Sequence, residues 1–441
     1  TGTDSNHASK GGPSLPTDSD ALGLPLLQQR PFRMLTFSRF ASRIAQNAIN
    51  FALVLLIVEE TGKTIYSSLL VLALVLPATL FGIFAGVAAD HLPRRPLILL
   101  GNLVRAAICL YAGLHLGGVP SYYLVAFALA AASPFASSAE GAIQPLIVER
   151  TRLAKANAIS HAVGGVAQLI GFGLLTPLVL RVFREPHILF FACAGLYLVA
   201  AVYGVAIGRI RSPQRQEVGG STEGSWWSAG WRQMQSDPAV MHAAVELTLI
   251  SAAVIILGGL IPKYIDDVLG LPVDVGVVIL MPGALGVALG LRVAGFLAHR
   301  VAHTLLATGG FVSFVVLLAL LSAVNPLADF LGGYGFLSWL NSVEIGSFDG
   351  GGIVAMVLVA PLGFAYALVT VAGHTVLQDR VPIQLLGRVG ATQAAMAALA
   401  ASLPVVIFGA LGDWLGVPIV MAMLAGVIGA FAVVNLRTAS A

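Results

Sequence analysis

The chain has 441 residues, 57% of them hydrophobic and only 10% charged, with a net charge of +3 and a mean hydropathy of +0.89. Soluble domains carry about 25% charged residues, so this composition excludes an ordinary water-facing globule. The small charge, with no basic stretch interleaved with aromatics, excludes a nucleic-acid partner. A membrane span takes roughly 20 apolar residues, which leaves room for about a dozen.

Residues 1–31 are rich in Gly, Ser, Pro and Asp and read as a disordered cytoplasmic tail. They lack the basic and apolar regions of a signal peptide. Twelve spans are then expected, at about 34–58, 65–89, 96–116, 120–145, 156–181, 187–208, 238–262, 273–298, 302–324, 351–376, 389–411 and 417–436. They divide into an N-terminal six-helix bundle (32–208), a cytoplasmic linker (209–237) and a C-terminal six-helix bundle (238–441). The linker carries Arg209, Arg211, Arg215, Glu217 and Glu223, then Trp226, Trp227 and Trp231, which read as interfacial anchors. An outer-loop insert, 325–350, mixes aromatics such as Phe330 and Trp339 with Asp329, Glu344 and Asp349, and reads as a cap or a lid.

Basic residues set the orientation. With the N-terminus inside, sixteen Lys and Arg fall in inner tails and loops; only Lys63, Arg181, Arg184 and Lys263 fall outside. This positive-inside bias places both termini in the cytoplasm. Cys109 and Cys193 lie in apolar segments without a CxxC pair and read as buried inert thiols. No phosphate-cradling Gly-x-x-x-x-Gly-Lys-[ST], no His-Glu-x-x-His and no metal-ligand spacing is present, so neither an enzyme, an ATP-driven pump nor a metal or other cofactor is expected.

The six charges expected within the membrane are Arg39, Arg43, Arg105, Glu140, Glu246 and Arg292. Each is costly, by about 2.5–3.5 kcal/mol at mid-helix on insertion scales, and should pair or face water. Arg39, Arg43, Gln46, Asn47 and Asn50 recur at helical spacing and make a polar stripe on the first span. The stripe reads as a cavity wall or as a structural network. Glu140, in Ser137-Ser-Ala-Glu140-Gly-Ala-Ile-Gln144, lies at a similar depth on the fourth span and is placed for an ion pair with Arg39 or Arg43. Glu246, two turns into the seventh span, has only His242 as a basic neighbour at i−4. It is the preferred proton-carrying acid, with Glu140 the second. Gln144, His161, Gln168, Tyr366, His374 and Gln393 are lesser cavity candidates.

Between the second and third spans stands Gly86-Val-Ala-Ala-Asp90-His91-Leu-Pro93-Arg94-Arg95. A weak echo, Gly295-x-x-x-His299-Arg300, follows 209 residues later, and Glu149-Arg150 is echoed by Asp379-Arg380 after 230. The insert accounts for the difference, so the two bundles read as a duplication. Further local signatures are Arg39-Phe-Ala-Ser-Arg43, Glu60-Thr-Gly62, Asn102-Leu-Val-Arg105, Leu153-Ala-Lys-Ala-Asn-Ala158 and Gly387-Arg388.

Through these stretches the chain resembles the major facilitator superfamily over roughly residues 32–437, and within it the drug and siderophore exporters that include the enterobactin exporter. It departs from that pattern at His91 and Pro93 in the loop signature. Ala45-Gln46 stands where many relatives have Gly-Asp, and Gly171-Phe172-Gly173 where many antiporters have Gly-Pro. The resemblance implies an all-α polytopic protein of the plasma (inner) membrane, a monomer embedded among membrane lipids. Two bundles would rock about a central cavity and export a small amphipathic molecule by proton antiport. It implies a conformational latch in which Asp90 meets a helix N-terminus near Arg388, with Gly86, Arg94 and Arg95 in the loop and Arg105 bracing it. A lipid or lysophospholipid flippase of the same fold and a non-transporting scaffold protein are the alternatives.

Overall fold

The structure is a computed structural model describing residues 25–115, 117–149, 152–183, 185–208, 226–271, 273–297, 301, 303–333 and 350–439. Within its helices the side chains of Asp90, His91, Lys155, His161, Trp226, Trp227, Arg388 and some others lie outside the described residues. So do the linker 209–225 and most of the outer insert, 334–349.

The described chain is helical. The first half contains α1 (Arg30–Thr61), α2 (Thr64–His91), α3 (Arg94–His115), α4 (Val119–Ile147), α5 (Leu153–Gln168), α6 (Thr176–Phe183) and α7 (Pro186–Ala206). A wide π turn, Leu169–Leu175, joins α5 to α6, so the two form one continuous fifth span. After α8 (Trp226–Ser236) the second half contains α9 (Pro238–Lys263), α10 (Val273–Leu297), α11 (His303–Ser322), α12 (Val324–Gly332), α13 (Gly350–Arg380), α14 (Ile383–Leu415) and α15 (Val417–Ala439). Among the described residues, ten segments are long and apolar enough to cross a membrane, and two shorter apolar helices, Val278–Ala294 and Val417–Phe431, fall where the other two expected spans lie.

Local chemistry sets the helix ends. Pro31 opens α1, where its missing N–H costs nothing. Gly62 closes α1 at φ +63°, a left-handed conformation that glycine adopts without strain, and its N–H bonds Val58 O at 2.8 Å. Asp237 caps α9 by accepting the Ala239 N–H at 2.9 Å, with Pro238 at the first helical position.

Each half has its own apolar core. In the first, Ile49, Leu53 and Ile57 of α1 pack with Leu129, Phe190 and Tyr197. In the second, Ile250, Leu257, Phe311, Phe314, Val369 and Leu424 pack together. Large apolar side chains such as Leu100, Leu114, Val202, Leu289, Leu305 and Leu403 point outward. Water would reject such a surface, whereas lipid accepts it and requires the saturated helical backbone seen here.

Two boundaries differ from those expected. The described structure begins at Pro25, before residue 32, and Leu26 and Phe32 bury against Val148 and Ala156. The last part of the expected linker belongs to the second half: α8 packs on α14 and α9, with Met234 fully buried beside Val240 and Val381. Trp231 on α8 is 41% exposed, as an interfacial residue should be. The outer insert begins with a short helix, α12, packed on α13.

Candidate functional site

The halves meet along two seams. α2 lies against α9 and α14, and the π turn of the fifth span lies against α10. Between the seams is an apolar chamber of about 320 Å³, walled by Phe51, Val54, Val71 and Phe172 from the first half and by Val254, Gly258, Ile261 and Met281 from the second. Asn50 and Leu74 line both this chamber and a second, polar one of about 210 Å³ set within the first half.

The polar chamber is built on the stripe of α1. Ser42, Arg43, Gln46 and Asn50 face it, opposite Arg105 of α3 and Ser133, Ser137 and Glu140 of α4. Gln46 is pinned on both sides. Its Oε1 accepts from Ser133 Oγ at 2.7 Å and from the Tyr197 hydroxyl at 3.2 Å, and its Nε2 donates to Asn50 Oδ1 at 2.9 Å. One turn below Arg43, the Arg39 guanidinium pairs with Glu140 Oε2 at 3.5 Å. Arg39 also donates to the Glu140 carbonyl at 2.8 Å, to Ser160 Oγ at 3.0 Å and to Gln144 Oε1. Arg43 makes no hydrogen bond or ion pair among the described residues, although it faces the chamber. Glu140, only 5% exposed, leaves Oε1 without a hydrogen-bond donor.

The expected pairing of the first and fourth spans is therefore present, and three of the five stripe residues line the chamber. Arg39 engages its wall. Asn47 does not belong: at i+8 from Arg39 it is turned about 80° off the stripe and packs on Gly171, at the π turn. Gln144 binds Arg39 rather than a cavity. Gln168 lines the apolar chamber. Tyr366 packs on the second core, Gln393 is buried in α14 and His374 is exposed. Arg292 is exposed on α10.

Glu246 lines neither chamber. The cavity-facing residues of α9 are Val254, Gly258, Ile261 and Pro262. Glu246 stands eight residues before Val254 and so lies about 80° around the helix. It faces α11, where Thr308 Oγ1 is 3.4 Å from its Oε1.

Among the described residues, Arg105 makes its contacts away from the loop at Gly86–Arg95. It is buried along α3, donating to Asn102 Oδ1 at 2.6 Å and stacking 4.7 Å over the Tyr197 ring. Arg95 reaches the carbonyl of Val205 on α7. The meeting of Asp90 with the Arg388 region lies outside the described residues.

A clasp at the opposite end of the bundle has no counterpart in the sequence reading. Asp413, near the end of α14, accepts the Thr64 N–H at 2.8 Å, the Ile65 N–H at 3.0 Å and Lys263 Nζ at 2.8 Å. A carboxylate from the second half thus caps the N-terminus of α2 in the first, where the helix dipole favours an anion. Ser67 Oγ adds a bond to the Gly259 carbonyl at 2.9 Å. Gly409 lets α14 close on Ser68. The signal was present as Gly409-x-x-x-Asp413, the same spacing as Gly86-x-x-x-Asp90, beside Lys263, one of the few basic residues expected on the outer side.

Two helical bundles meet around a shared chamber and are clasped at one end, an architecture that suits a membrane transporter. The chain belongs to the Major Facilitator Superfamily, whose family profile matches residues 35–353. Its fold is similar to that of the nucleoside transporter NupG (TM-score 0.67, 12% identity, covering 92% of this chain and 98% of that one). It is equally similar to a bacterial homologue of the human lysosomal transporter Spinster in an inward-facing, unoccupied conformation (TM-score 0.67, 14% identity, covering 94% and 98%). No curated protein sequence matches the chain.

Proposed function

We propose that the protein is a proton-coupled secondary transporter that exports a small amphipathic molecule across the plasma (inner) membrane by alternating access. The observation that carries this reading is the juxtaposition of a polar and an apolar chamber, sharing Asn50, at the meeting of the two bundles. An amphipath can lodge its head in one and its tail in the other, and pockets of this size suit small ligands. With both termini cytoplasmic, as the positive-inside bias argues, the Asp413 clasp closes the outer end and the state is inward-facing. Asp90 and Arg388 would then form the matching latch at the inner end when the clasp opens.

Glu140 is a better coupling acid than Glu246. It lies on the polar chamber, faced by Arg39 and Arg43 from α1 and Arg105 from α3, with Gln144 on its own helix and Ser160 from α5 alongside. A proton arriving there releases Arg39, and a substrate that engages the carboxylate excludes the proton. That mutual exclusion is the requirement for antiport.

The test uses proteoliposomes with a labelled amphipathic probe. Glu140→Gln is expected to abolish uptake driven by an imposed pH gradient, while gradient-free exchange persists at saturating probe with a weakened half-saturation. Undiminished pH-driven flux would remove Glu140 from the mechanism. A lipid or lysophospholipid flippase is the second reading, favoured by the same head-and-tail division of the cavity.

A further inference from the structure

The polar chamber contains two unmet groups of opposite sign. Arg43, an exposed side chain that lines the chamber between α1, α3 and α4, presents a guanidinium with five N–H donors and no acceptor among the described residues. Glu140 presents an oxygen with no donor, although the residue is almost fully buried and its other oxygen is held by Arg39. A buried oxygen left without a partner costs about 1–3 kcal/mol or more, so Glu140 is an incentive for a donor, while the exposed Arg43 guanidinium offers unengaged donors to an anion. Arg43 and the Glu140-bound Arg39 are one helical turn apart on α1, a rise of about 6 Å. One small head can therefore span both.

We infer that the substrate is a zwitterionic amphipath. Its anionic oxygens would sit on Arg43, its primary ammonium on Oε1 of Glu140, and its chain past Asn50 into the apolar chamber. This inference rests on the transport reading above and narrows it to a substrate class. A purely cationic amphipath leaves Arg43 unmatched, in a chamber where three arginines face one carboxylate. A purely anionic one leaves Oε1 unmatched. The ammonium also makes chemical sense of antiport, because it and a proton compete for the same carboxylate.

The test compares probes of one chain length on the purified full chain, by thermal shift and by binding titration. These are α-aminododecanoate and dodecyl phosphoethanolamine, which carry both charges, dodecanoate, dodecylammonium and neutral dodecanol. At least one zwitterion is expected to bind about ten- to a hundredfold more tightly than any other probe, the gain of one charge-assisted hydrogen bond. Which of the two wins separates an amino-acid head from a phospholipid-type head. Arg43→Gln should reduce the zwitterion to the affinity of dodecylammonium, Glu140→Gln should reduce it to that of dodecanoate, and Arg43→Lys should restore part of the preference. Equal affinity across the set, tighter binding of a singly charged probe, or no binding at all would overturn the assignment. If a singly charged probe is bound best and is carried in proteoliposomes, transport stands and the zwitterion falls. If the zwitterions bind in the expected order but no gradient moves them, the transport reading falls instead.

Discussion

The two halves share an architecture and divide the work. In the first, several polar side chains of α1, α3 and α4 line or frame one chamber, with Gln46, Arg39 and Glu140 held by hydrogen bonds and an ion pair. In the second, α10 and α13 are fitted backbone to backbone. A Cβ at Gly286 would overlap the Ala360 carbonyl, one at Gly363 would overlap the Gly283 carbonyl, and one at Gly290 would stand 2.7 Å from the Phe364 carbonyl. Small residues permit such approach where no hydrophobic effect drives helices together. The difference teaches that a duplicated fold need not duplicate its chemistry: one bundle carries the charged site, and the other supplies a rigid apolar wall and the clasp that closes on its partner.

The largest effect should come from breaking the rigid wall. Gly286→Leu forces a side chain into a backbone carbonyl on α13, which cannot rotate away. Overpacking of a well-packed site typically costs about 1–3 kcal/mol, and separating two helices should lie at or beyond the top of that range. The expected outcome is loss of monodisperse folded protein. A normal melting temperature and yield would show the second half to be as plastic as the chamber of the first.

The clasp comes next. Asp413→Asn removes the charge that holds Lys263 and the first N–H groups of α2. Charge-assisted hydrogen bonds contribute about 1.5–3 kcal/mol, so the population of the clasp-open state should rise about ten- to a hundredfold. Cysteine accessibility from each side of the membrane, with reporters placed near Tyr66 and near Arg30, reads this directly. An unchanged ratio would make the clasp ornamental and leave the seam to apolar packing alone.

These two features also mark the limit of what the sequence discloses. Composition and the length of the apolar runs were enough for twelve spans, because lipid imposes one rule on every span. The α1 stripe was legible because helical period puts Arg39, Arg43, Gln46 and Asn50 on one face, and its pairing with Glu140 followed from matched depth. That Glu246 turns from the apolar chamber was not legible, because depth and charge say nothing of rotation about the helix axis. Asp413 was missed because it closes a contact between residues 349 apart in sequence. A carboxylate at a span end reads as an ordinary solvated charge until α2 is seen beneath it. The fit of Gly286 to Ala360 is likewise a property of two surfaces, not of either segment.

A smaller effect tests whether α8 and its junction belong to the second half. Asp237 is partly desolvated, which pushes its carboxyl up, but the Ala239 N–H and the Arg380 guanidinium outweigh this and hold it below the ordinary range. A lowered folded value means that the stabilisation is present above the unfolded value, about 3.9. It is lost as pH falls through the folded value. Asp237→Ala should therefore cost about 1 kcal/mol, as the loss of an N-cap does, at neutral pH. The difference from the parent chain should disappear in acid. A melting-temperature gap that persists below that range would mean that the contribution is not electrostatic.

The smallest expected effect is at the residue that sequence alone favours most. Glu246 points away from the chamber wall formed by Val254, Gly258 and Ile261, and its neighbour is a threonine on α11 within the same half. A coupling acid must meet water from one side and then the other as the halves rock. A group held between two helices of one rigid bundle does not change its surroundings when that bundle moves as a body. Glu246→Gln keeps the shape and an acceptor for Thr308, so pH-driven flux should stay within about twofold of the parent chain, a change of under 1 kcal/mol. Flux abolished by Glu246→Gln but preserved in Glu140→Gln would place the proton in the second half and reverse the division of labour between the bundles.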